Sequence, residues 1–168
     1  MPRVLLAGLL VLTSVLGLGV AGTEAACTDP ARPGVDWSRC YFEETNLAGA
    51  DVSNGRLRDA RFNRTDLSGS NFTEIDGRRA KFITANLAGT RFDKARLNEA
   101  DFTKANLAGA SFRGADLRRA RLFRAILRGA DLTEARMTGA DLLNADLSGA
   151  TWSDGQTVCA EGSIGRCN

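Results

Sequence analysis

The carboxylates are the side chains of this sequence that could do acid–base chemistry, because the 168-residue chain has 20 Asp and Glu but no His. They recur at regular intervals, and two carboxylates 20 residues apart would be stacked about 5 Å from one another, a spacing that glycosidases use. Without His, a Ser or Cys nucleophile lacks its usual activator. The regular spacing favours a solvated ladder of charges, and we expect no catalysis, no cofactor and no bound metal.

The spacing of apolar residues shows which elements position these carboxylates. When the chain from Cys40 to Asp154 is divided into fives, the third residue, which we call the centre, is large and apolar everywhere except at Gly77. The residue two places earlier is small except at Ile75, and Asp or Asn often stands between them. On an α-helix successive centres would turn by about 140° and share no face. On a β-strand the small residue and the centre point to the same side.

A repeat of odd length cannot continue as one strand, so each group of five must form one short side of a polygon. Two places after the centre, every twentieth residue is glycine, which suits the positive φ of a type II turn, at Gly49, Gly69, Gly89, Gly109, Gly129 and Gly149. This interval predicts four sides per coil, about 5.75 parallel coils over residues 40–154 and a prism roughly 28 Å long. Ile75 and Gly77 break the rule together, which indicates either a compensating exchange of volume or a functional bulge.

Four cysteines flank the repeat in two close pairs. Three pairings of four cysteines exist, but a disulfide cannot join prism ends that are roughly 28 Å apart. The sequence therefore predicts the bridges Cys27–Cys40 and Cys159–Cys167 in an exported protein. They would close an N-terminal cap over residues 26–39 and a C-terminal cap over residues 155–168. A zinc site is the rival interpretation, but the Cys-x-x-Cys spacing is absent and both ends would have to meet.

The repeats resemble those of the pentapeptide-repeat family, as in Ala105-Asn106-Leu107-Ala108-Gly109 and Ala130-Asp131-Leu132-Thr133-Glu134. The resemblance covers residues 40–154 and implies the right-handed quadrilateral parallel β-helix of that family, an all-β fold. The C-terminal residues from Trp152 to Cys167 are similar to the ends of envelope-targeted bacterial members, most of which have no known role. We therefore expect one β-helical domain between two disulfide-closed caps.

Residues 1–25 have the composition of a signal peptide. Arg3 gives a basic start, an apolar run extends from Val4 to Gly22, and the small residues Thr23 and Ala25 precede the expected cleavage site. We expect a periplasmic or extracellular protein without stable membrane insertion after cleavage. Retention as an anchor is the alternative, because the run approaches the ~20 residues that cross a bilayer. The formal net charge of +2 indicates neither a polyanion mimic nor a nucleic-acid binder.

The outward residues carry the remaining information about function. The face that includes Leu57, Leu97 and Leu117 is the most basic, because its arginines outnumber its acidic residues. Elsewhere a few outward positions are apolar, and clustered exposed apolar side chains mark binding surfaces. The candidate partner-binding residues are Arg78, Arg79, Arg118 and Arg119 on the basic face, and Ile83, Phe123, Ile126 and Leu143 in the apolar group. The alternative for the apolar group is that the C-terminal residues fold back and cover it.

These features predict an exported structural or interaction protein that presents a rigid β-helical surface to an envelope protein or an anionic polymer, with homodimerisation left open. The alternative comes from the quinolone-protection branch of the family that the chain resembles, namely inhibition of DNA gyrase by DNA mimicry. Three features disfavour it: the signal peptide, the lack of a strongly acidic surface, and the lack of an obvious dimerising C-terminal helix.

Overall fold

The structure is a computed structural model that describes residues 27–168. The predicted signal peptide, residues 1–25, lies outside the described residues. Between residues 27 and 168 the backbone consists of turns and isolated β-bridge residues, with no helix and no strand longer than one bridge residue. This part of the chain accordingly has no helix that could cross a membrane. The fold is all-β, and it is organised by ladders between short sides.

The bridges form parallel ladders whose register is constant along the prism. They run from Asp36, which pairs with Arg56, to Asp131, which pairs with Thr151, and every fifth residue between them is a bridge residue. Because each bridge residue lies beside its equivalent four repeats later, the chain returns on itself after four short sides. The ladder includes one repeat before Cys40, the boundary expected from the sequence. Its small-residue position holds a valine, Val35, which obscured that repeat in the sequence pattern.

In the repeats between the first and last coils, three of the five backbone N–H groups donate to a neighbouring coil. In the repeat that begins at Asp66, the Asp66 N–H donates at 3.0 Å to the Thr45 carbonyl of the preceding coil. The Leu67 and Gly69 N–H groups each donate at 2.8 Å to carbonyls of the following coil. Each interior side is therefore hydrogen-bonded to the coil before it and to the coil after it, which makes the body of the prism a continuous hydrogen-bonded wall.

The other two N–H groups explain the Asp/Asn position. The Ser70 N–H closes the turn on the Leu67 carbonyl at 3.2 Å, and the Ser68 N–H donates to Asp66 Oδ1 at 3.0 Å. An Asp or Asn side chain thus satisfies the backbone donor two positions later, as in an Asx turn. The same bond is made by the N–H groups of Ser38, Ala48, Ser53, Thr73, Ala88, Thr103, Ala108, Arg118, Thr133, Leu143 and Ser148.

Corners adopt the left-handed backbone conformation whether or not they contain glycine. The six turn glycines have φ between 63° and 69°. The equivalent residues on the other sides also have positive φ, for example Thr84 at 56° and Arg79 at 58°. The left-handed conformation costs an L-residue about 1–2 kcal/mol, which the inter-coil hydrogen bonds offset. Glycine is therefore favoured at these corners but not required.

The core contains two columns of phenylalanine that meet across the prism. Phe62, Phe82 and Phe102 stack nearly parallel, with ring centroids 5.2 and 4.9 Å apart. Phe72 and Phe92 come from the opposite side and meet Phe82 edge to face, at 6.1 and 5.8 Å. Stacked and T-shaped arrangements are the favoured geometries of aromatic pairs. The small residues beside them leave room for these rings in a narrow prism.

The paired irregularity in the repeat is an exchange of volume. Ile75 is fully buried, although the repeat has a small residue at this position elsewhere. A Cβ atom added at Gly77 would lie 2.9 Å from Ile75 Cδ1 and 3.0 Å from Leu97 Cδ2. The tip of Ile75 thus occupies the space that the missing side chain would fill. The register of the ladder continues through this repeat without a bulge.

Both ends carry the disulfides expected from the sequence, Cys27–Cys40 and Cys159–Cys167. Residues 156–168, which we call the tail, fold back across the last coil. Val158 forms an antiparallel bridge with Thr151, and Ile164 forms one with Asp146. The tail therefore pairs with two of the four sides of that coil.

Candidate interaction surface

Carboxylates on the basic face stack on arginines. One column of bridge residues alternates in charge along the ladder, in the order Asp36, Arg56, Asp76, Arg96, Asp116, Arg136. Arg56 Nε lies 2.9 Å from Asp36 Oδ2. The stacked pair of carboxylates raised by the sequence does not occur on this column, because the equivalent residue of the next coil carries the opposite charge. This face therefore has no acid pair of the glycosidase kind.

Asp76 is the carboxylate of this face that forms ion pairs with two arginines, Arg58 and Arg78. Burial opposes its ionisation, but hydrogen bonds and charge from Arg78 and Arg58 prevail and lower the pKa of Asp76 to about 2. Arg58 Nη2 lies 2.6 Å and Arg78 Nε 2.8 Å from its oxygens. Asp76 is therefore charged at neutral pH and neutralises part of the basic face.

The four candidate arginines are not equally available to a ligand. Arg78 is bound to Asp76, Arg79 binds Asp59 through two hydrogen bonds of 2.8 and 2.9 Å, and Arg118 binds Asp116 at 2.6 Å. Arg119 reaches Glu99 only at 4.0 Å, and its side chain is 79% exposed. Two shallow depressions on this face are both lined by Arg119 together with Glu99. The face thus has a mixed charge, and Arg119 is the least engaged of the four candidate arginines.

Three of the four apolar candidates share one corner of the prism. Phe123 and Leu143 occupy equivalent positions on adjacent coils, and the Arg124 N–H donates to the Leu143 carbonyl at 3.0 Å. Leu143 is 62% exposed, Ile126 is 42% exposed, and Phe123 is half-buried under the Arg124 guanidinium, 5.0 Å from its ring centroid. We call Phe123, Ile126 and Leu143 the apolar corner. Ile83 is half-buried and lies two coils away.

Ile126 interrupts a column of polar side chains. Asn86 Nδ2 donates to Asp66 Oδ1 at 3.0 Å, and Asn106 Nδ2 donates to Asn86 Oδ1 at 3.1 Å. Ile126 is the next bridge residue of this column and pairs with Asn106 through the backbone alone. An isoleucine can neither extend this ladder of amides nor accept the turn N–H two positions later. In the sequence Ile126 stands out only as an apolar residue at an outward position, and the structure shows which interaction it replaces.

The tail lies on the sides next to the apolar corner. Its backbone bonds go to residues 145–152, including Leu147 N–H to the Ser163 carbonyl at 2.8 Å. Arg128 joins it to the body by contacts with Asp146 at 2.6 Å and Glu161 at 2.8 Å. These contacts leave Leu143 open to solvent.

Residues 27–168 contain no cluster of His, Cys, Asp and Glu that could hold a metal ion. All four cysteines form disulfides, so none is a free thiol.

Comparison with known proteins identifies repeats of the same kind. A family model described as a pentapeptide repeat region matches residues 55–132, and one described as pentapeptide repeats (8 copies) matches residues 34–64 and 115–151. Together they extend over most of the region in which the structure has its parallel ladder. No curated protein matches the chain.

Solved structures of pentapeptide-repeat proteins are similar to the chain. QnrB1, a plasmid-mediated fluoroquinolone resistance protein, is 24% identical with a TM-score of 0.52, over 72% of this chain and 64% of that one. A protein of the Arabidopsis thaliana thylakoid lumen is 28% identical with a TM-score of 0.45, over 74% and 84%. Rfr23 from the cyanobacterium Cyanothece is 25% identical with a TM-score of 0.45, over 70% and 90%. The chain thus spans about two thirds of the QnrB1 chain, and that similarity shows the fold alone, a right-handed β-helix.

Proposed function

Because the chain belongs to the pentapeptide-repeat family, we propose that it is an exported interaction protein whose β-helix holds a protein-binding corner in a fixed position. The rod is longer than the 5.75 coils expected for residues 40–154, because its parallel ladder begins one repeat earlier, at Asp36. The residues before this first repeat and the C-terminal segment 155–168 act as its caps, each held by one disulfide. A rod of this kind has few internal degrees of freedom to lose on binding, which favours affinity.

The observation that carries the proposal is the exposure of the apolar corner. Leu143 is 62% exposed and Ile126 is 42% exposed, at positions where most other repeats have polar side chains. Isolated exposed apolar residues need no explanation, but adjacent ones around an aromatic ring are typical of binding sites. Burying such a side chain in an interface contributes about 1.5–3 kcal/mol.

The charge around the corner indicates the chemistry of the partner. Arg124 lies over the Phe123 ring, and Arg121 reaches its nearest carboxylate, Asp101, only at 3.9 Å with its side chain 71% exposed. Both arginines are thus free to meet new anionic groups. The partner that fits is a protein with an apolar residue flanked by Asp or Glu. An anionic polymer on the basic face is less well supported, because Arg78, Arg79 and Arg118 are bound to carboxylates of the same chain.

Export is supported by the disulfides, since thiols in the cytosol are kept reduced. All four cysteines are paired. The sequence pattern of residues 1–25 supports the same proposal through its resemblance to a signal peptide. Cell fractionation, with detection of the chain in the periplasm or the medium, tests this part directly.

The docking proposal is tested by capture from an envelope extract with oxidised protein that starts at Ala26. The test bait carries Phe123→Asp and Leu143→Asp. The matched control carries Ala88→Asp and Ala108→Asp, which add the same charge at the same turn position, also on adjacent coils. A partner held by the wild type and the control but lost by the test bait supports the proposal. Equal recovery from all three baits contradicts it, and a bait with Arg118→Glu and Arg119→Glu then tests the basic face.

Gyrase inhibition, the alternative drawn from the sequence, is separated from docking by a supercoiling assay. The similarity to QnrB1 concerns the fold, and the net charge of this chain is +2. We expect no protection of gyrase from a fluoroquinolone at micromolar protein. Protection under these conditions would favour the alternative.

A further inference from the structure

Two sides of the last coil have backbone groups that point out of the C-terminal end without a partner. These open sides are residues 135–137 and 140–142. In every preceding coil the N–H of the centre and the carbonyl of the small residue bond to the next coil. Within residues 27–168, the Met137 and Leu142 N–H groups and the Ala135 and Ala140 carbonyls have no backbone partner. An unpaired sheet edge of this kind is a template for another chain.

The tail has the complementary set of groups on its outer edge. It covers the other two sides, residues 145–147 and 150–152, through antiparallel pairing. Within the tail, the groups next to Ile164 bond inward, with the Gly165 N–H donating to the Ala145 carbonyl at 2.8 Å. The N–H and C=O of Ile164 and of Val158 point outward and have no backbone partner in the described chain. Their side chains are 50% and 62% exposed.

We propose that the C-terminal end is a self-complementary interface that binds a second copy of this chain, with the tail of each copy seated on the open sides of the other. The end is a step, because the tail adds one layer over half of the last coil and leaves the other half bare. A two-fold axis perpendicular to the long axis of the prism, through the corner at Leu143 and Asn144, relates the two copies. It places the tail of each copy on the open sides of the other.

The hydrogen-bond register of this arrangement repeats the one inside the prism. In the body, the Trp37 N–H donates to the Arg56 carbonyl and the Arg56 N–H donates to the Val35 carbonyl, each at 2.8 Å. Across the interface, Ile164 of one copy pairs with Asp141 of the other copy in the same way as Arg56 pairs with Asp36 inside the prism. The Leu142 N–H then donates to the Ile164 carbonyl, and the Ile164 N–H donates to the Ala140 carbonyl.

The second open side pairs in the same way with Val158. The Met137 N–H donates to the Val158 carbonyl, and the Val158 N–H donates to the Ala135 carbonyl. The two-fold axis exchanges the two copies, so the same four bonds form a second time with the copies interchanged. Each of the unpaired N–H groups named above then donates to one carbonyl. The half-buried centres Met137 and Leu142 also lose their contact with solvent. Edge pairing combined with apolar burial is the usual basis of strand addition.

The interface has a consequence for the apolar corner, although it does not depend on the proposed docking function. Leu143 lies beside the two-fold axis, and two layers of about 4.8 Å separate it from Leu143 of the second copy. The two apolar corners therefore lie on one edge of the dimer. A partner with two apolar anchors about 10 Å apart would contact both copies.

The interface is tested by sedimentation equilibrium of the oxidised protein and of the double variant Val158→Pro, Ile164→Pro. Proline removes two N–H groups that bond nothing within one chain, so the fold should persist, as checked by far-UV circular dichroism and intact disulfides. The control Val158→Thr, Ile164→Thr keeps both N–H groups. We expect dimers of the wild type and the control, and a dissociation constant raised by about tenfold or more in the proline variant.

Hydrogen exchange gives a second readout at single amides. The amides of Met137, Leu142, Val158 and Ile164 should become protected as the wild-type concentration rises, and Met137 and Leu142 should lose that protection in the proline variant. A wild type that remains monomeric at millimolar concentration overturns the proposal. So does a dimer in which these four amides exchange as fast as in the monomer.

Discussion

Replacing Ile75 by Ala and Gly77 by Leu together would restore the small-then-large order of the other repeats. Each change alone should be harmful, because Ile75 Cδ1 occupies the place where a Cβ at Gly77 would lie, 2.9 Å away. Ile75→Ala alone empties a fully buried site and should lower the free energy of unfolding by about 2–5 kcal/mol. Gly77→Leu alone forces a side chain against Ile75 and Leu97 and should lower it by about 1–3 kcal/mol.

The double variant should lose less stability than either single variant. The new Leu fills the volume that Ile75 vacates, and φ at Gly77 is not positive, so a side chain is tolerated there. The double variant should lie within about 1 kcal/mol of wild type, which implies a coupling energy of at least about 2 kcal/mol between the two positions. Such coupling is expected only for side chains that share one space.

The coupling energy is measured by urea unfolding of the four proteins with their disulfides intact, followed by the fluorescence of Trp37 and Trp152. The dependence of the unfolding free energy on urea should be the same in all four. A control cycle combines Ile75→Ala with Leu127→Ala, more than two coils away, and should be additive within about 0.5 kcal/mol. If the losses at Ile75 and Gly77 also add, the two residues do not exchange volume, and the packing explanation of this repeat is refuted.

Two further predictions concern charge and backbone conformation. Because the folded-state pKa of Asp76 is lowered from 3.8 to about 2, its stabilising effect is complete above pH 4 and lost as the pH falls through 2. Asp76→Asn should therefore remove on the order of 2 kcal/mol at pH 5 and little at pH 2, measured by urea unfolding at both pH values; an equal loss at both would contradict the ion-pair assignment. Thr84→Asn should raise the unfolding free energy by about 0.5–1 kcal/mol, since Asn tolerates the φ of 56° better than a β-branched residue. An unchanged or lower melting temperature of this variant would show that the corner is not strained.

Much of the fold could be predicted because a period of five has few physical solutions. The alternation of small and large residues requires a strand, the odd period requires a corner, and the recurrence of glycine at every fourth corner gives the length of a coil. The disulfide pairs follow from the separation of the two ends. The repeat that contains Asp36 was missed because Val35 stands where a small residue was expected, and the ladder accepts it at the end of the prism.

The candidate site was predicted less completely, because it depends on which coils face one another. The charges of the basic face were summed over the whole face, whereas the structure aligns Asp36, Arg56 and Asp76 in one column of alternating sign. That alternation is readable in the sequence at intervals of one coil. The apolar corner was recognised from residue types, and its distance of two coils from Ile83 follows from the period of 20 residues. Only the tertiary structure shows that the tail leaves Leu143 exposed.

The sequence by itself determined the local rules of this protein: which side chains face inward, where the chain turns and which cysteines lie near one another. These follow from periodicity, because every side obeys the same geometry. Only the tertiary structure decided where regularity ends, namely that the tail pairs with two sides of the last coil and leaves two others open. That outcome depends on the path of the non-repetitive tail, residues 156–168, whose backbone hydrogen bonds no period specifies.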